Sequence, residues 1–284
     1  MQDLLAAADQ GHLDVDGCSI AWARWSAPRT QRPIAPIVLV HGAGAHLGWW
    51  EAVVRPLIAE GQSVVALELS GHGGSGHRAG YDADVWSREV LAVIRDVAGG
   101  PSLLVGHSLG GRVAICAAAT DPALVPGLVL VDAPVRRPGK PRPRVLPRRP
   151  LPRRRHQTLQ EAVATFRLRP REPVADAALL HRIAAAAFEE HLEGWTLRAD
   201  LSVFSRIPDE RLVVALRSYT ASVTLIYGTH STVVNREARE FLVEAHHGPT
   251  ELVPIEGHHH LTLDQGAYVA ALIAERHERL ATEP

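Results

Sequence analysis

The chain has 284 residues, 46% of them hydrophobic, and its 30 Lys and Arg against 31 Asp and Glu leave a net charge of −1. That length holds one large α/β domain with room for an insert, and that composition fills a core. The charge balance exerts no global pull toward nucleic acid or anionic membrane, and two cysteines make no disulfide framework.

The N-terminus, MQDLLAAADQGH, has early acids and lacks a basic start with a long apolar run. Neither a signal peptide nor a spanning helix is expected, and the cytoplasm is the default location. Residues 12–25 alternate and turn at Asp16–Gly17, which predicts a hairpin. PIVLV (36–40) reads as a buried strand ending at His41–Gly42, and LGWWEAVVRPLIAEG as a helix stopped at Gly61. SVVALEL (63–69) is the next strand, followed by the glycine-rich loop SGHGGSGHRAG. VWSREVLAVIRDVAG is helical, with Val85, Val90, Leu91 and Ile94 on one face. Cys18, in an early strand, and Cys116, in a later helix, read as buried free thiols.

SLLV (102–105) is apolar throughout, the mark of a strand covered on both faces. It runs into GHSLGG and then a helix with Val113 and Ala117 at helical spacing. Ser108, framed by Gly106 and Gly110, therefore stands at a strand-to-helix turn. Such a turn forces unusual dihedrals and close backbone approach, and it holds the hydroxyl out at the strand's C-terminal end. GLVLVDAP (127–134) is a further strand, and strands alternating with helices imply a parallel sheet with helices on both faces.

The alternation then stops. The run from Arg136 to Arg155 is dense in Pro and Arg, contains no acid, and is read as a solvated entry to an insert. Helices are expected at 158–166, opened by the capping-box pair Thr158 and Glu161, at 174–193 and at about 208–219. Strand and helix alternate again in ASVTLIYG (221–228), NREAREFLVEAHH, TELVPIEG and a last helix at 264–280. The reading is a discontinuous core, 1–134 and 221–284, with a helical cap at 135–220.

A nucleophilic serine needs a base, a group to orient that base, and an oxyanion hole. EGHHHLTLDQ follows the last strand and offers His258, His259 and His260 for the base. A histidine cluster also suits a metal, but no carboxylate or cysteine stands at ligand spacing, so no metal is expected. Trp49, Trp50 and Trp195 are candidates for an apolar pocket. Trp50 reads as packing, and Trp195, after Gly194, is the better pocket residue.

Four motifs in this order, HGAGAHLGWW, LELSGHGGSG, GHSLGG and GHHHLTLDQ, resemble the α/β-hydrolase fold family, specifically its capped esterase-like members. The match spans 12–134 and 221–280. It implies a mostly parallel central sheet of about eight strands flanked by helices, with an inserted cap. It implies an oxyanion hole from the backbone amides of Leu109 and Ala43. Family members often show Gly-x-His-His with an acid five residues after the first of that histidine pair. Gly257, His259, His260 and Asp264 fit that register, which selects His259; an alignment without the extra residue selects His258.

The acid departs from the family's pattern. Most members carry an aspartate in the loop after the strand that follows the cap. Here that loop is GTHSTVVN, Ser231 holds the expected position, and the loop contains no carboxylate. An uncharged serine cannot replace the acid, so Ser231 is read as idle. Asp132, at the end of GLVLVD, matches the place used by a minority of relatives; Glu256 and Asp264 are the remaining candidates. The resemblance thus implies a serine hydrolase with Ser108, Asp132 and His259, needing no cofactor and no metal. It would act on a small apolar ester, or a thioester or lactone, with no nucleic acid partner and no stable membrane insertion. Carbon–carbon bond hydrolysis and cofactor-free haloperoxidase chemistry use the same fold and triad. The missing acid in GTHSTVVN leaves a weakly active, receptor-like binding homologue as the rival from another class.

Overall fold

Apolar runs without a polar face predict strands covered on both sides, and the sheet has that form. The computed structural model describes residues 2–26, 36–139, 154–204 and 207–282. Eight strands make the main sheet: β1 (Asp9–Val15), β2 (Cys18–Trp25), β3 (Ile37–Val40), β4 (Val64–Leu67), β5 (Leu103–His107) and β6 (Gly127–Val131), with two more after the insert. Their order is β1-β2-β4-β3-β5-β6 and then the pair that follows the insert. The first two joins are antiparallel and the rest parallel. The hairpin turns where expected. Asp16 and Gly17 both take positive φ, 51° and 74°, the pattern of a two-residue turn matched to strand twist.

The helices of the core are α1 (Gln2–Ala6), α2 (Glu51–Ala59), α3 (Ala83–Val93) and α4 (Leu109–Thr120), joined by others after β6. Side chains alternate across the sheet. Val38, Val40, Leu104 and Leu130 bury against α3 and α4. Ile37, Leu39, Val105 and Val129 bury against α1 and α2. Both cysteines are buried free thiols.

After β6 the described chain forms β7 (Arg155–His156), α5 (Leu159–Thr165), α6 (Ala177–Ala186), β8 (Phe188–His191), β9 (Gly194–Leu197) and α7 (Asp209–Ser218). The Thr158 hydroxyl accepts the Glu161 N–H, and Glu161 reaches back to the N–H of Gln157, one residue before the cap. Two expectations change. The helix foreseen over 174–193 ends at Ala186, and its second half turns into β8, which pairs with β9 and through it with β7 in a small antiparallel sheet. Ala187 and Phe188 bury there with Ala162, with Trp195 packed against them; this gain overrides the local helix preference of AAAAFEEHLEG. The helix foreseen near 208–219 forms as α7 but lies on the core, where Leu212 and Leu216 join the cluster around α4 and buried Asp209 pairs with Arg112 at 2.9 Å. The middle of the Arg/Pro-rich run, 140–153, lies outside the described residues.

The chain then returns through β10 (Ser222–Gly228), α8 (Arg236–Ala245), β11 (Thr250–Ile255), the turn α9 (Leu261–Asp264) and α10 (Gly266–Thr282). β10 lies beside β6 and β11 beside β10. The loops after β3, β5, β6, β10 and β11 therefore emerge at one edge, the carboxyl end of the parallel strands, where open α/β sheets bind ligands. No helix among the described residues is long and apolar enough to cross a membrane.

Candidate active site

Ser108 takes φ 52° and ψ −115°, a strained conformation for a residue with a side chain. The glycines around it make that turn possible. A Cβ on Gly106 would sit 2.5 Å from the backbone of Gly110 and Gly111, and one on Gly110 would enter the Val40 carbonyl. The strand thus turns into α4 on top of itself, and Ser108 is left half-exposed above the sheet edge. The loop after β3 comes equally close: a Cβ on Gly42 would lie 2.9 Å from His107 Nδ1 and 3.3 Å from the Ser108 Cβ. His41 holds this loop. Its buried Nε2 accepts the Leu69 N–H at 3.2 Å, so Nδ1 carries the proton and donates to the Gly42 carbonyl at 2.7 Å. Among the described residues, no hydrogen bond takes up the N–H of Ala43 or Leu109, whose loops meet here.

The loop after β11 brings His259 to Ser108. His259 Nε2 is 3.0 Å from Ser108 Oγ, and His259 Nδ1 is 2.6 Å from Asp132 Oδ2. The Nδ1 proton belongs to the bond with the carboxylate, which leaves Nε2 to accept the serine proton. The His258 ring instead meets that of His230, tilted by 46° with centroids 5.5 Å apart. His260 is buried, donates from Nε2 to the Pro170 carbonyl at 3.1 Å, and meets Trp49 edge-on. Of the other carboxylates considered, Asp264 accepts the Ala175 N–H at 3.0 Å and Glu256 is exposed.

Asp132 is fully buried and held from several directions. Oδ1 accepts the Gly228 N–H at 3.0 Å, and Oδ2 accepts both His259 Nδ1–H and the Ser231 hydroxyl at 2.6 Å. Ser231 Oγ in turn accepts the N–H groups of Val233 and Val234. Ser231 is therefore not idle: it donates to Asp132, which stands at the end of the neighbouring strand. Burial pushes the Asp132 carboxyl up to about 6, against the pull of Ser231 and Gly228, so it is ionised at neutral pH. Burial, and then the charge of Arg136, holds His259 below the usual histidine range, so the ring rests neutral. Once it takes a proton, the carboxylate beside Nδ1 favours the imidazolium.

Among the described residues, His107, His259 and His260 form the one group with metal-ligand spacing, their ring nitrogens within 4.8 Å of one another. His107 Nε2 already bonds the His259 carbonyl at 3.1 Å, so a cation shared by the three rings would draw His259 away from Ser108 and Asp132.

The model of the "Alpha/beta hydrolase family" matches residues 37–272. The chain belongs to the alpha/beta hydrolase family. Esterase Rv0045c of Mycobacterium tuberculosis is 38% identical over 122 residues, 42% of this chain and 38% of that protein. Monoglyceride lipase of Homo sapiens is 38% identical over 131 residues, 44% and 43% of the two chains. The matched stretch thus spans less than half of either relative. Among solved structures, a thioesterase domain from the curacin biosynthetic pathway superposes with a TM-score of 0.78 at 25% identity, covering 94% of this chain and 99% of that one.

In this alpha/beta hydrolase, Trp195 lies on β9 against Ala187 and Phe188, and no described contact joins it to Ser108 or His259. Trp49 is nearer, packed with Leu179, Ile183 and Leu263 and touching His260. A surface cavity of 430 Å³ opens between the N-terminal hairpin and the insert, with Trp22, Glu68 and Arg198 in its wall; it does not reach Ser108. Sequence reasoning missed the donor role of Ser231, although its position in GTHSTVVN was the available signal. It also gave no signal for Glu172 of the insert, whose Oε2 accepts the His259 N–H at 2.8 Å.

Proposed function

We propose that this protein is a serine hydrolase of small, apolar carboxylic esters, with Ser108 as nucleophile, His259 as base and Asp132 as orienting acid. The observation that carries the reading is the continuous hydrogen-bonded chain from Ser108 Oγ through His259 to Asp132, at 3.0 and 2.6 Å. Ser108 Oγ attacks the carbonyl carbon while its proton passes to His259 Nε2. The oxyanion that forms is taken by the amides of Ala43 and Leu109, the second at the N-terminus of α4. His259 then gives its proton to the leaving alcohol, and the acyl group remains on Ser108. Water then attacks the acyl carbon and loses a proton to His259, which returns it to Ser108 Oγ as the bond from Oγ to the acyl carbon breaks and the carboxylic acid leaves. The described part of the insert from β7 to β9 is read as a cap beside the site, while α7 belongs to the core.

A thioester is the second substrate class to test, favoured by the likeness to a thioesterase domain over nearly the whole of both chains. The test is hydrolysis of p-nitrophenyl esters and of acyl thioesters by the wild type and by Ser108→Ala, with mass spectrometry after a fluorophosphonate. Turnover that vanishes in Ser108→Ala, with the adduct on Ser108, is the expected result. Full turnover in Ser108→Ala would overturn the reading.

A further inference from the structure

A stretch of the insert, residues 170–175, runs along the loop that carries His259. Glu172 Oε2 accepts the backbone N–H of His259 at 2.8 Å and that of His260 at 3.3 Å. Two residues earlier, the Pro170 carbonyl takes the His260 Nε2 proton at 3.1 Å. Three residues later, the Ala175 N–H donates to Asp264 Oδ1 at 3.0 Å. Four hydrogen bonds therefore fasten one short piece of the insert to one short piece of the loop. An apolar contact lies beside them, where Leu168, Leu179 and Ile183 of the insert bury with Trp49 and Leu263.

Within this seam only the Glu172 bond reaches the backbone of His259. The His259 ring is held by Asp132 at Nδ1 and faces Ser108 at Nε2, but those bonds align only if the peptide before the ring stays in place. Gly257, just upstream, has φ 154°; its carbonyl accepts the His230 N–H at 2.9 Å, and the His259 carbonyl accepts from His107 Nε2 at 3.1 Å, so Glu172 adds the bond on the N–H side of the same residue. The Glu172 side chain is 6% exposed, its Oε2 is 4.0 Å from His260 Nε2, and burial raises its pKa above the ordinary carboxylate value. An ionised acceptor on two backbone N–H groups makes shorter and stronger bonds than a neutral one, and in a buried place those N–H groups need a partner.

We propose that Glu172 is a positioning residue: carried by the insert, its carboxylate fixes the His259 backbone so that the ring stays between Ser108 and Asp132. The alignment of the base then depends on how the insert is seated. The proposal rests on the reading of Ser108 and His259 as nucleophile and base. Misplacing a base by about an ångström is enough to cost on the order of a hundredfold in rate.

The experiment compares Glu172→Ala, Glu172→Asp and Glu172→Gln with the wild type in kcat, KM, melting temperature and the downfield proton resonance of the His259–Asp132 bond. Glu172→Ala removes the acceptor. Glu172→Asp keeps charge but draws the oxygen back by one methylene, which covers the case in which the alanine variant does not fold. Glu172→Gln keeps an oxygen at the same reach. The expected result is a kcat lower by about ten- to a hundredfold in the Ala and Asp variants, with KM within about threefold and a broadened or shifted resonance. Glu172→Gln stays within about fivefold of wild type. Folded Ala or Asp variants with wild-type kcat and an unchanged resonance would overturn the proposal. So would equal losses in all three that follow melting temperature, since these mean that Glu172 only stabilises the insert. Ser108→Ala is run in parallel. If it retains turnover, the hydrolase reading itself fails; if it is dead while Glu172→Asp is fully active, only the role of Glu172 fails.

Discussion

Ser231 Oγ donates to Asp132 Oδ2 at 2.6 Å, the same oxygen that accepts His259 Nδ1–H. One residue comes from the loop after β10 and the other from the end of β6, and β6 and β10 are paired neighbours. A carboxylate at 132 and a hydroxyl at 231 thus share the space beside the histidine.

Ser231→Ala is therefore expected to slow the enzyme by about three- to thirtyfold, from the loss of one hydrogen bond to a charged group. The sign of the pH effect follows. The Ser231 hydroxyl favours the ionised carboxylate, so its removal raises the pKa of Asp132 above its present value of about 6. The acid limb of kcat/KM should move to higher pH. A profile that stays in place with an unchanged rate would show that the bond does nothing for the acid.

Asp132→Asn should separate activity from stability. Loss of the charge, and the wrong histidine tautomer, cost about ten-thousandfold in a serine protease, and an ester with a good leaving group should lose less. Stability goes the other way. The carboxyl titrates near 3.8 when free and at about 6 when buried here, so the folded state binds that proton more tightly. The resulting penalty is absent below about pH 4, grows as the pH rises to about 6, and is full above it, on the order of 3 kcal/mol. Asparagine escapes it, but its NH2 must face one of the N–H or O–H donors that Asp132 now accepts from, a cost present at every pH. The melting temperature of the variant relative to the parent should therefore be higher at pH 7.5 than near pH 4; a difference that is unchanged or reversed between the two pH values would refute the sign.

The three histidines should behave differently. His259→Ala is expected to lose most of the rate. His258→Ala, whose ring meets His230 and has no described bond to Ser108 or Asp132, should stay within about tenfold. His260→Ala opens a buried site beside Trp49 and should lose about 1–3 kcal/mol of stability, read as a lower melting temperature. A dead His258→Ala would move the base by one residue.

The sequence by itself determined the sheet and its order of elements. Short apolar runs bounded by turns, helices stopped by glycine, and a Gly-x-Ser-x-Gly turn are local properties, set by the backbone and nearest neighbours. Their alternation implies a parallel sheet with helices on both faces, and the resemblance to the family supplies the expectation of about eight strands, which the sheet has. Local propensity failed at 187–193, where a helix-forming run became a strand because a partner strand and a small apolar cluster lay within reach. Which histidine lies beside Ser108 was decided by the path of the chain after Gly257, and which carboxylate lies beside that histidine by the pairing of β6 with β10. The bonds from Ser231 to Asp132 and from Glu172 to His259 join residues 99 and 87 positions apart. No periodicity or spacing encodes such contacts, because they exist only once the loops from several strands are brought to one edge of the sheet.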